Sequence, residues 1–157
     1  MKQLGSQFMI DADKKDLVLA AIKQLPGKER DLEIDPHNHF AFIGFETLKR
    51  DGKGLPIEFR YHFMDAQTAE EALEAWHWQA ETDVDGNITG LSFMTEKDGD
   101  YDILFAQIAP FVEPGSWIEM VDEEYHHWIW KFRDGKMYEV SPRVHLSDRK
   151  IHCLFDI

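Results

Sequence analysis

The chain has 157 residues, 43% of them hydrophobic and 13% aromatic, which excludes a disordered chain and supplies apolar mass for one packed domain over residues 1–157. Its net charge of −13, from 30 acidic against 17 basic side chains, repels nucleic acid and anionic membrane and attracts basic surfaces. A lone cysteine, Cys153, excludes an internal disulfide, and no stretch has the apolar length of a signal peptide or membrane helix, so a cytoplasmic protein is expected.

Residues 6–10 read as a short strand. Asp11 or Asp13 is placed to cap a helix over 13–25, whose apolar stripe is Leu17, Ala20, Ala21 and Leu25 at helical spacing, and Pro26-Gly27 ends it. Strands are predicted over 39–46 and 57–63, separated by turn signals at Asp51-Gly52 and Gly54. Thr68 caps a second helix carrying Ala69, Leu73 and Trp76, with Glu70, Glu71 and Glu74 on its wet side. Two strands, 78–82 and 88–95, meet across Asp85-Gly86-Asn87, where glycine supplies the positive φ of a hairpin turn. A third helix is predicted over 102–112, with Ile103, Leu104, Ile108 and Phe111 apolar. A strand meander follows, with a second hairpin turn at Asp134-Gly135, and the chain closes with strand segments 143–146 and 151–157. The order predicts an α+β fold: an antiparallel sheet with two or three helices packed on one face. The two later helix-and-hairpin units also allow a duplication.

The charge is uneven. Residues 81–124 hold twelve carboxylates and a single cation, Lys97, whereas the segments on either side are nearly balanced. Such a block is either a solvated face that keeps the protein soluble or a surface for a basic partner.

Few groups of residues carry chemistry. His37 and His39 would point to one side of an extended backbone, as two ligands of one ion do, but no third ligand stands nearby and a polar turn at Pro36 accounts for them equally. Asp83-Val84-Asp85-Gly86-Asn87 opens like a calcium loop, yet its glycine comes fourth rather than sixth and Met94 stands where glutamate is required; it is a hairpin turn. His126 and His127 would face opposite sides of a strand, and Cys153 sits in an apolar run with no polarising neighbour. The carboxylate run Glu96, Asp98, Asp100 and Asp102 reads as a solvated loop without the two contrasting environments that acid–base catalysis needs. No nucleophile elbow, phosphate loop, dinucleotide fingerprint or paired-cysteine motif is present, so neither enzyme activity, cofactor nor metal is expected. Trp76, Trp78, Trp117, Trp128 and Trp130 are expected to build an aromatic core on one sheet face.

Several strings lie between Ala75 and Glu139: Trp76-x-Trp78, Asp83-x-Asp85-Gly86-Asn87-Ile88, Glu96-Lys97-x-Gly99-Asp100, Ile108-Ala109-Pro110-Phe111-Val112, Gly115-Ser116-x-Ile118-Glu119-Met120 and Trp128-x-Trp130-x-Phe132 before Asp134-Gly135-Lys136. This stretch, a little under half of the chain, resembles a family of small, acidic, mostly uncharacterised bacterial proteins. The chain departs from it at Asp122-Glu123-Glu124-Tyr125, where similar proteins have a Gly-Glu-Asp-Gly turn. The resemblance carries no catalytic residue and implies an accessory role in bacterial conflict or mobile-element systems.

Charge, missing motifs and resemblance together lead to one expectation: a non-catalytic protein that neutralises a basic protein partner, as an immunity protein does a bacterial toxin, without touching nucleic acid or membrane. The expected contact is Glu96, Asp98, Asp100, Asp122, Glu123 and Glu124, with Trp117 or Tyr125 as the apolar anchor. The competing expectations are a mobile-element or phage inhibitor that mimics nucleic-acid charge, and a metal-dependent enzyme using His37 and His39.

Overall fold

A computed structural model describes residues 1–28, 43–54, 56–147 and 150–155. Its centre is a four-stranded antiparallel sheet in the order β1-β6-β7-β8, formed by Lys2–Gln7, Trp117–Val121, His127–Arg133 and Lys136–Val140. The other strands pair two by two: β2 (Phe45–Arg50) with β3 (Pro56–Tyr61), β4 (Trp78–Thr82) with β5 (Ile88–Phe93), and β9 (Pro142–Ser147) with β10 (Lys150–Phe155). Among the described residues three α-helices complete it: α1 (Lys15–Lys23), α2 (Ala69–Ala75) and α3 (Tyr101–Ile108). The α+β class follows directly.

Hairpin chemistry fixes the strand pairs. Asp134 and Gly135 take positive φ of 56° and 73°, and join β7 to β8 through the Arg133–Lys136 pair, as a two-residue turn matched to strand twist requires. Between β4 and β5 the Asp83 carboxylate accepts from the N–H groups of Asp85 and Asn87 at 3.0 and 2.9 Å, while Gly86 turns the chain at φ 84°. The same loop recurs between β6 and β7. There Asp122 Oδ1 accepts from the N–H groups of Glu124 and His126, both at 2.9 Å, and Tyr125 occupies the place of Gly86 at φ 66°. The two loops are alike, whereas the second Asp-Gly turn, at Asp134, on which the suggested duplication drew, is of another kind.

The β4–β5 ribbon lies beside β1 without forming a continuous ladder. Ile10 and Ile88 exchange two backbone hydrogen bonds of 2.9 Å at one end. At the other the Gln3 amide stands in for a strand, donating to the Leu91 carbonyl and accepting from the Phe93 N–H, both at 2.9 Å. The register of β1 against β6 shifts between Gln3 and Gly5, a bulge beside that side-chain bridge.

One sheet face is buried under α3. Ile118, Met120, Trp130 and Phe132 project from β6 and β7 towards Leu104, Phe105 and Ile108, and α1 packs on both α2 and α3. Aromatic edges meet faces throughout this layer, with Trp78 against Phe105 at 5.1 Å and Phe8 against Phe132 at 5.5 Å between centroids. Trp76, Trp78 and Trp130 are core, as expected, while Trp117 and Trp128 are half-buried.

Several boundaries differ from the sequence reading. The first strand is Lys2–Gln7 rather than 6–10, because Phe8 and Ile10 turn inward to the core. Asp11 precedes a short 3-10 turn and makes no side-chain cap. Thr68 caps α2 as predicted, its hydroxyl accepting from Glu71 N–H at 3.1 Å. The third helix stops at Ile108 and tightens to a 3-10 turn over Ala109–Phe111, where Pro110 cannot supply an α-helical donor. The buried stripe of α1 is Val18, Ala21 and Ile22, continuing to Leu25 beyond the helix; Leu17 is 51% exposed and Ala20 is also outside. Ala21 and Leu25 of the expected stripe are buried, whereas Leu17 and Ala20 give way to Val18 and Ile22. The first half of the predicted strand over 39–46 lies outside the described residues, β2 beginning at Phe45, and the His37 and His39 pair lies wholly outside them.

Candidate functional site

Strand pairing brings remote charges together. Because β1 runs antiparallel to β6 with Lys2 opposite Val121, the beginning of β1 lies against the Asp122 turn. Because Gln3 holds Phe93, the segment leaving β5 towards Glu96 lies against the same end of β1. Between them opens a groove of about 840 Å³. Leu4, Phe93 and Val121 give it apolar surface, Glu96 stands on one wall, and Glu123 and Tyr125 stand on the other.

The structure therefore joins Glu96, Asp122, Glu123 and Tyr125 in one lining. Asp98 is close by, its carboxylate 3.6 Å from the amine of Met1, which also lines the groove. Glu124 is exposed on the same turn, 3.8 Å from His126 Nδ1. Asp100 stands at the residue before α3, with no side-chain cap hydrogen bond, and is not in the lining, and Trp117 lies at the far end of β6, beside Lys131. Of the two expected anchors, only Tyr125 accompanies the carboxylates, and it is 86% exposed. Lys2 and His127, neither of them among the expected contact residues, add basic groups to the lining.

The carboxylates differ in what they are free to do. Asp122 spends one oxygen on two loop N–H groups and places the other 3.0 Å from His126 Nδ1. Hydrogen bonding, led by the His126 N–H, holds the Asp122 pKa below the ordinary carboxylate range, and the work of this carboxylate is to shape the turn. Asp83 does the same in the matched loop, where the Asn87 side chain is the leading cause. Glu96 and Glu123 remain exposed to whatever enters the groove.

Asp102 is exposed, yet its pKa is raised, by desolvation first and then by Glu139 and Asp100. Among the described residues no group of three His, Cys, Asp or Glu side chains is placed to hold a metal ion. His126 lies in the turn and His127 on the adjoining strand, and both are exposed.

Outside the groove, one pair escaped sequence reasoning. His77, left-handed at φ 71° between α2 and β4, places Nδ1 2.8 Å from the hydroxyl of the fully buried Tyr101. Desolvation, then Lys97, lowers the His77 pKa, while burial, then Asp98, raises that of Tyr101. The fold thus favours neutral His77, and the unfolded chain takes up that proton first. Its contribution to stability is present above the unfolded value and is lost as pH falls through it. Between about pH 7 and about pH 5, wild type should lose more stability than His77→Asn, a residue that tolerates the left-handed backbone. Denaturant midpoints of the two proteins across that range check this; equal slopes would remove His77 from the account.

No protein-family model, curated protein or solved structure matches the chain. No helix among the described residues is long and apolar enough to cross a membrane.

Proposed function

We propose that this chain is a non-catalytic binding protein that neutralises a basic protein partner, most simply as an immunity protein does for a bacterial toxin. The observation that carries the reading is the convergence of two separate acidic segments, at Glu96–Asp98 and Asp122–Glu124, on one groove with apolar surface. A solvated face that served only solubility would have no need of that convergence. Toxins that act on nucleic acid must carry a basic surface to hold phosphate, and an acidic inhibitor both finds that surface quickly and competes for it.

The test is capture of the partner from the native host, followed by association kinetics over a salt series. Reversing charge together at Glu96, Glu123 and Glu124 should slow association by roughly tenfold or more at low salt, with the difference fading as salt screens the field. These side chains are exposed, so thermal stability should hardly change. An acidic partner, or an association rate indifferent to salt and to charge reversal, would remove the assignment.

A further inference from the structure

Tyr125 is not explained by the loop that holds it. Its N–H donates to the Asp122 carbonyl at 3.2 Å, as the Gly86 N–H donates to Asp83 at 3.1 Å in the matched loop, and both residues have positive φ. Glycine meets every backbone requirement of this turn without crowding a Cβ, whereas a bulky side chain is disfavoured in that conformation. The ring is nonetheless held there, almost wholly exposed, on the wall of an acidic groove.

Resting on the reading of the groove as a site for a basic protein, we propose that it receives an arginine side chain of that partner, stacked on the Tyr125 ring and paired with Glu96 and Glu123. The ring, the exposed carboxylates and the apolar residues of the lining are each complementary to arginine, while Lys2 and His127 also line the groove. A planar, weakly hydrated guanidinium stacks on an aromatic face while its N–H fork bonds carboxylates at its edge. The aliphatic stem has apolar surface to lie on at Leu4, Phe93 and Val121. Lysine, a compact and strongly hydrated ammonium, would gain from the carboxylates but much less from the ring. Asp122 contributes charge without a free bonding edge, because its oxygens already hold the turn.

The probes are two capped peptides, one alternating arginine with leucine and one with lysine at the same positions, titrated calorimetrically at low salt. Wild type should bind the arginine peptide about tenfold more tightly, the scale of a partly desolvated cation–π contact. Tyr125→Gly should abolish that preference while its thermal midpoint stays level or rises. A preference that survives Tyr125→Gly, or equal binding of both peptides that still weakens on charge reversal at Glu96 and Glu123, overturns the arginine assignment and leaves the basic-partner reading standing. Failure to bind either peptide at low salt overturns both.

Discussion

Phe105→Ala should destabilise the protein by about 3–5 kcal/mol, the usual cost of deleting a buried aromatic ring and leaving a cavity. Phe105 is completely buried at the centre of α3. Its ring meets Trp78 and Trp130, both at 5.1 Å, Phe132 at 6.0 Å and Phe8 at 6.2 Å, so it touches β4, β7 and the segment after β1 at once. No neighbour can close the space without moving a strand. Against a typical domain stability of about 5–15 kcal/mol, this loss consumes a large share of the margin. Leu17→Ala is the matched control, because the sequence alone places Leu17 in the core and the fold leaves it half in water. It should cost well under about 1 kcal/mol. Urea unfolding of the two variants checks both statements, and comparable losses would show that the face of α1 is wrongly assigned.

Gln3→Met should cost about 2–3 kcal/mol even though volume is nearly conserved. The substitution strands the Leu91 carbonyl and the Phe93 N–H, each of which the Gln3 amide serves at 2.9 Å in partly buried surroundings. The Ser6 hydroxyl, 3.0 Å from the same amide nitrogen, loses a donor as well. Hydrogen exchange is the sharper readout, since protection should fall first along β5 and the groove wall leading to Glu96. Uniform loss of protection, with β5 no different from β7, would mean that Gln3 does not hold the ribbon.

The two predictions depend on information of different kinds. That an aromatic layer exists could be read from alternation in Trp128-x-Trp130-x-Phe132. That Phe105 lies at its centre could not, because the layer is assembled from four separated segments. Gln3 gave no sequence signal at all: an amide in a short polar strand has a ladder role only when a second strand stops short of pairing with the first. The Asp122 loop was partly hidden for a related reason. Its twin announces itself through Asp85-Gly86-Asn87, whereas Tyr125 takes the left-handed position without a glycine to mark it.

Local chemistry determined what the sequence could determine by itself. Asp134-Gly135 makes a two-residue turn, Thr68 starts α2, and the alternating strands of the meander pair with their neighbours, because each result depends on groups a few residues apart. The excess of negative charge in residues 81–124 is likewise a property of composition. Only the tertiary structure decided which stripe of α1 is buried, since the run from Leu17 to Leu25 offers two apolar faces and packing against α2 and α3 selects the one with Val18 and Ile22. Only it decided that Glu96 and Glu123 share a groove while Trp117 does not. Those placements follow from the pairing of Lys2 with Val121 across the whole length of the intervening chain, and contacts of that range leave no periodic trace in the residues that make them.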